Sequence, residues 1–265
     1  MSDALEIAVA QCPAGVDGSH ARLTWLADTL AGHDGPQLDL IVLPELFQCG
    51  YNIGDLVLDR AEAPDGPFAV AIADLAQQHS TAIVYGFAER QGETLFNSAQ
   101  CIDRNGVTIG RHRKLLLPPG FEGDHFSPGT GCELFRLGAF TLAILICYDV
   151  EFPENLRHVA LAGADVVVVP TALTAQWGIV SECVVPTRAF ENGVFLCYAN
   201  YCEGENGLNY FGGSCIIAPD GRQLIRAGTM AQLLHARLDH SAVSAAQARL
   251  PYHIDRLGLP WVEPS

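Results

Sequence analysis

The apolar positions of the chain follow two periods. One is the short unbroken run: LEIAVAQ at 5–11, LDLIVLPE at 38–45, ADVVVVPTA at 164–172 and GVFLCYAN at 193–200. Such runs, bounded by proline, glycine or acidic residues, predict strands buried on both faces. The other is helical spacing. It appears at 18–32 through Leu23, Leu26 and Leu30, and in PFAVAIADLAQQHS at 67–80 with a proline near its start. FPENLRHVALAGA at 152–164 ends close to a glycine, 179–192 is interrupted or begun at Pro186, and 240–250 makes a last short helix. Between these lie β-rich segments. TAIVYGFAER covers 81–90. Residues 95–106 and 107–114 predict a hairpin turning at Asn105-Gly106, and 214–228 predicts another around Asp220-Gly221. ELFRLGAFTLAILIC at 133–147 carries two strand signals broken at Gly138, after a Pro/Gly-rich loop at 118–131.

Helices alternating with buried strands, with hairpins between, predict an α/β layered protein whose mixed sheets are covered by helices. No linker, repeat or low-complexity segment divides the chain, so residues 1–265 are expected to form one domain, with about 250–265 as a C-terminal tail. Composition is that of a globular protein, 49% hydrophobic and 17% charged. The apolar runs are too short to span a bilayer, and MSDALEIAVAQ has no basic leader region, so the expectation is a cytoplasmic protein without a signal peptide. A net charge of −15 argues against nucleic acid or an anionic membrane surface as partner. The nine cysteines contain no C-x-x-C pair and fit neither a zinc site nor a disulfide framework; most read as reduced core residues.

Of fifteen cationic residues, fourteen are arginine and Lys114 is the single lysine. A lysine retained in such a background suggests a site needing a compact ammonium on a flexible stem, although chance survival of a surface lysine fits equally. Its position gives it company. Glu45 ends LIVLPE, Lys114 ends the hairpin strand, and Cys147 ends LAILIC. In open α/β sheets ligands collect at strand C-termini, so three such ends can converge. A carboxylate can then take the thiol proton as general base, the ammonium can stabilise the thiolate and later an oxyanion, and a buried Glu45 would keep its charge beside Lys114. Taken singly each residue has a plainer reading: a cysteine at a strand end is more often packing than nucleophile.

IVLPELFQCGY at 41–51, GRHRKLLLPPGFEGDHFSPG at 110–129, LAILICYDVEFPE at 142–154 and RAFENGVFLCYAN at 188–200, with AVAQ at 8–11, together resemble the nitrilase, or carbon–nitrogen hydrolase, superfamily over about residues 6–240. The resemblance implies a four-layer α-β-β-α sandwich with two mixed β-sheets, a Glu45–Lys114–Cys147 triad and no cofactor. It carries over a second glutamate, Glu122, to position substrate or Lys114, and the backbone N–H of Tyr148 to share the oxyanion with Lys114. It also implies a homodimer or higher homo-oligomer, built through helices near the nucleophile and the RAFEN block. Glu151 stands where many members have arginine, a form similar to the R-stereoselective amidase group. The tail YHIDRLGLPW lacks a double arginine often found there.

The expected activity is hydrolysis of a small carboxamide to the acid and ammonia through a cysteine thioester. Pocket candidates are Tyr51, His125, Tyr148, Asp149 and Trp177, with Tyr51 and Trp177 as an apolar wall unless they are simply core. TALTAQWGIVSE, following the 166–170 strand, contains no cation for a substrate carboxylate, which disfavours N-carbamoyl amino acids and dicarboxylate monoamides. Asp149, Glu151 and Asp124 would suit an amino-bearing amide. A nitrilase or N-carbamoyl amidohydrolase with the same triad, a catalytically silent binding protein, and a Cys–His enzyme using His112 are the alternatives.

Overall fold

The structure is a computed structural model that describes residues 3–259. Its strands in chain order are β1 (Ala4–Pro13), β2 (Leu40–Val42), β3 (Ala82–Gln91), β4 (Thr94–Ile102), β5 (Thr108–Arg113), β6 (Leu134–Leu137), β7 (Phe140–Ile144) and β8 (Val166–Pro170). They continue with β9 (Phe195–Ala199), β10 (Tyr201–Cys202), β11 (Gly204–Glu205), β12 (Leu208–Asn209), β13 (Cys215–Ile217), β14 (Gln223–Arg226) and β15 (Gln232–Asp239). The helices are α1 (Ser19–Ala31), α2 (Leu56–Arg60), α3 (Pro67–His79), α4 (Phe121–His125), α5 (Pro153–Leu161), α6 (Val185–Asn192), α7 (Ser241–Arg249) and α8 (Tyr252–Asp255).

Two mixed sheets result. The first runs β10-β1-β2-β3-β4-β5, with β15 antiparallel to β1; the second runs β14-β13-β9-β8-β7-β6. Strand parity explains how they stack. Leu5, Ile7 and Val9 of β1 face Phe140, Leu142, Ile144, Val166 and Val168 of the second sheet and form the central core. Ala8 and Ala10 point the other way, with Ile41 and Ile83, against Leu26 and Leu30 of α1 and Phe68 and Ile72 of α3. On the far side Val167, Val169 and Leu196 pack on Leu156 and Val159 of α5 and Val185 and Ala189 of α6. Every strand at the centre is apolar on both faces because each face meets another layer, so the fold is the expected α-β-β-α sandwich. Each such fully buried Val, Ile or Leu contributes about 1.5–3 kcal/mol.

Strand ends differ from the sequence reading for identifiable reasons. The strand expected at 38–45 is confined to Leu40–Val42. Leu43 N–H still bonds to Val84, but Pro44 has no N–H to donate, and Glu45 N–H crosses to the carbonyl of Thr171 in the other sheet. β7 ends at Ile144; Leu145 N–H still donates to Val168 O at 3.1 Å, but the Ile146 N–H is taken by the Asp149 side chain. Lys114 lies just past β5 yet keeps its ladder bond to Asn97 O at 2.8 Å. The helical stretch expected at 179–192 opens with a wide π turn at Val180–Val184 and becomes α6 with Pro186 in its first turn, where a missing N–H costs nothing. The short helices α2 and α4, the β11–β12 hairpin and the long strand β15 were not foreseen, and neither was α8, which lies in the expected tail. Pro260 and Trp261 of the tail lie outside the described residues.

Candidate active site

At the C-terminal edge of the first sheet, four polar side chains are buried together. Lys114 Nζ lies 2.6 Å from Glu45 Oε1 and 2.6 Å from Glu122 Oε1. Asn97 Nδ2 donates to Glu45 Oε1 at 2.7 Å and to Glu122 Oε2 at 3.0 Å. Tyr51 OH donates to Glu122 Oε1 at 2.7 Å. Lys114 and Glu45 are both fully inaccessible to solvent. The second oxygen of the pair, Glu45 Oε2, receives no hydrogen bond from any described residue.

The backbone is shaped to hold Glu45 there. Leu46, the next residue, has φ of +48°, uncommon for a residue with a side chain. The turn leans on β3 at Gly86, where an added Cβ would stand 2.3 Å from Leu46 N. Only glycine allows that approach. Glu45 O also accepts a hydrogen bond from Tyr201 OH at 2.9 Å, and buried Arg22 holds Tyr201 OH from behind at 3.1 Å.

The electrostatics follow from sharing one cation between two buried carboxylates. Burial raises the pKa of Glu45; Lys114 opposes this, Glu122 adds to it, and the carboxyl is pushed up to about 7. The expected Glu45–Lys114 pair is present at 2.6 Å, but Lys114 only partly offsets burial and Glu122. Burial disfavours the Lys114 ammonium, but Glu45 and Glu122 outweigh it and hold its pKa above the usual lysine range. The thiol of Cys147 is pushed up by burial and then by Glu45, more than the Lys114 ammonium pulls it down. The resting cysteine is thus a thiol, whose proton a base has to take.

Cys147 opens a tight 3₁₀ turn, Cys147–Glu151, with φ of +44°. A left-handed conformation in a non-glycine residue costs on the order of 1–3 kcal/mol and is tolerated where its surroundings enforce it. Asp149 does so here. Its Oδ2 accepts from Ile146 N–H at 3.1 Å and pairs with His112 Nε2 at 2.9 Å; its Oδ1 accepts from Leu115 N–H at 3.0 Å and Leu116 N–H at 3.1 Å. One carboxylate fastens the backbone before the cysteine to the backbone after the lysine.

Cys147 borders a cavity of about 550 Å³ that Tyr51, Glu122, Tyr148, Glu151 and Trp177 also line, with Ala172, Leu173, Phe121 and Leu208 among its apolar walls. Of the nine residues singled out from the sequence, Cys147, Glu122, Tyr51, Tyr148 and Trp177 meet at this cavity, with Glu45 and Lys114 joined to it through Glu122. Two are elsewhere. Asp149 is fully buried and spent on backbone N–H groups and His112. His125 does not line the cavity: its Nδ1 donates to Phe121 O at 2.8 Å and its Nε2 to Asp55 Oδ1 at 3.1 Å. Asp124 is exposed. Tyr51 proves polar in use, and Trp177 is 56% exposed at the cavity mouth, so neither is core. His112 is turned to Asp149, which leaves no histidine lining the cavity.

Asn97 was missed. β4 also carries Thr94, Ser98 and Gln100, so nothing in the sequence singles Asn97 out. Glu205 was missed as well: it accepts from Tyr51 N–H at 3.2 Å, Asn52 N–H at 2.6 Å and Tyr210 OH at 2.9 Å, which anchors the loop presenting Tyr51. Among the described residues no group of three or more His, Cys, Asp or Glu side chains is placed to hold a metal ion, and no helix is long and apolar enough to cross a membrane.

Residues 6–248 match the family model described as carbon-nitrogen hydrolase. The chain is 40% identical to the "hydrolase in pqqF 5′ region" of Pseudomonas protegens over 95% of its own length and 89% of the relative's. It is 32% identical to an (R)-stereoselective amidase of a Pseudomonas species, covering 92% and 88% of the two chains. Among solved structures it is similar to a mutant of the amidase from Nesterenkonia sp. AN1 that carries the product of Michael addition of acrylamide at its active-site cysteine. The TM-score is 0.83 at 30% identity, covering 96% of this chain and all of that one.

Proposed function

Since this chain belongs to the carbon–nitrogen hydrolase family and acts on carbon–nitrogen bonds other than peptide bonds, we propose that it is an amidase converting a small carboxamide to the carboxylic acid and ammonia. The observation that carries the reading is the buried Glu45–Lys114–Glu122 cluster beside the Cys147 cavity, with one oxygen of Glu45 left free.

The cycle begins with a neutral thiol. Glu45, about half ionised near pH 7 and more so above it, takes the Cys147 proton on Oε2 as sulfur attacks the amide carbon; a base whose pKa lies near the working pH suits this step. The carbonyl oxygen becomes an oxyanion held by Lys114 and by the N–H of Tyr148, which lies at the start of a helical turn where N–H groups lack an intrahelical acceptor. The C–N bond breaks as Glu45 returns its proton to the leaving nitrogen, releasing ammonia and leaving a thioester. A water that gives its proton to Glu45 then attacks the thioester carbon. The C–S bond breaks, sulfur regains the proton, and the acid leaves. Glu122 keeps Lys114 charged and fixed, and Tyr51 fixes Glu122. The same reading carries a cytoplasmic homodimer or higher homo-oligomer.

An ammonia-release screen over amides, nitriles and N-carbamoyl compounds tests it. Turnover of amides that disappears in Cys147→Ala is expected. Nitriles or carbamoyl compounds turned over in preference to every amide would replace the amidase assignment.

A further inference from the structure

Glu151 is the one charged group of the cavity that the proposed cycle does not use. The residues lining the cavity include two carboxylates, Glu122 and Glu151, and no lysine, arginine or histidine. Glu122 is satisfied three times over, by Lys114, Asn97 and Tyr51. The carboxylate of Glu151 receives no hydrogen bond from any described residue. Its nearest guanidinium is directed away from it: Arg188 donates through Nε to Val150 O at 3.1 Å, through Nη2 to the backbone oxygen of Glu151 at 2.7 Å, and through Nη1 to Glu191 Oε1 at 3.1 Å. Lys114, the other cation within electrostatic reach, is already committed to Glu45 and Glu122. A half-buried carboxylate without a donor is costly unless something completes it. Burial accordingly pushes the Glu151 pKa up, with Lys114 and Arg188 only partly opposing the shift.

Resting on the amidase reading, we infer that Glu151 is a specificity residue that binds a protonated amine on the acyl portion of the substrate, so that the preferred substrates are aminoalkyl carboxamides. The apolar walls at Phe121, Leu173 and Leu208 would take the methylene chain between the amide at Cys147 and the ammonium at Glu151. A carboxylate in the same place would face Glu122 and Glu151 with no free cation to receive it, and is rejected. A charge-assisted hydrogen bond in a partly desolvated pocket supports discrimination of about tenfold or more between a cation and its neutral isostere.

The test compares 4-aminobutanamide with pentanamide, which differ by an ammonium in place of a methyl group. The wild-type protein is expected to show kcat/KM at least about tenfold higher for the amino amide. In Glu151→Gln the ratio falls to about one, and in Glu151→Arg preference turns toward the monoamide of a dicarboxylic acid, succinamic acid. A merely structural role for Glu151 would lower all three rates together and leave the ratios alone, which overturns the assignment. So does a wild-type ratio at or below one with pentanamide turned over. No ammonia from either amide overturns the amidase reading itself, and the assignment with it.

Discussion

The two halves of the site are built on different principles. The half from the first sheet, with Glu45, Asn97, Lys114 and Glu122, is closed to solvent, and its charged groups are interlocked at 2.6–3.0 Å. The half from the second sheet and its loops, with Cys147, Tyr148, Glu151 and Trp177, is partly open, and its side chains have few partners. The first resembles a protein interior that happens to be charged; the second resembles a surface folded inward. Groups that must hold a proton at a fixed place gain from rigidity, because reorganisation during the reaction is avoided. Groups that meet different acyl chains gain from having no fixed partner.

Perturbing the closed half should do the most damage. Lys114→Met removes the only cation shared by two buried carboxylates, so turnover should vanish and stability should fall by about 3–5 kcal/mol, measured by urea unfolding. Lys114→Arg keeps the charge, but the guanidinium is larger and planar in a fully buried position; turnover should vanish here too, with a smaller loss of about 1–3 kcal/mol. Retained activity in either variant would break the contrast.

The next largest effect is set by pH. With Glu45 pushed up to about 7, its carboxylate protonates as the pH falls through neutrality and can no longer accept the thiol proton. On an uncharged amide, kcat/KM should therefore fall about tenfold per pH unit well below 7, where an ordinary carboxylate would delay the fall to about pH 4.5.

Tyr51→Phe removes one of three donors from Glu122 at the boundary between the halves. It should lower kcat/KM about tenfold and stability by about 1 kcal/mol. Trp177→Ala, at the open mouth, should change stability by no more than about 0.5 kcal/mol and act on KM for bulky amides and not on kcat for small ones. A Trp177 variant as unstable as Lys114→Met would erase the distinction.

Glu45 and Cys147 were visible in the amino-acid string because each closes an apolar run where a strand ends, and Lys114 because it ends a strand and is the single lysine. The layered fold was visible because runs such as VVVVP are apolar on both faces. What stayed hidden depends on distant partners. Asp149 sits near the cysteine in sequence and reads as a pocket acid, but three of its four partners are 33, 34 and 37 residues away. Asn97 looks like any strand polar residue until the strand is paired. The elevated pKa of Glu45 depends on how two carboxylates divide one ammonium, which no local pattern records. β15 escaped notice because only Leu234 and Leu238 of its eight residues are fully buried.

The clasp formed by Asp149 means that the peptide segments flanking the ammonium and the sulfur have no independent mobility. Opening either one breaks bonds to the same carboxylate, which leaves a buried anion unsatisfied and drags the other segment open. Amide hydrogen exchange at Leu115, Leu116 and Ile146 should therefore report one shared opening event with a common free energy, although these residues belong to different layers of the sandwich.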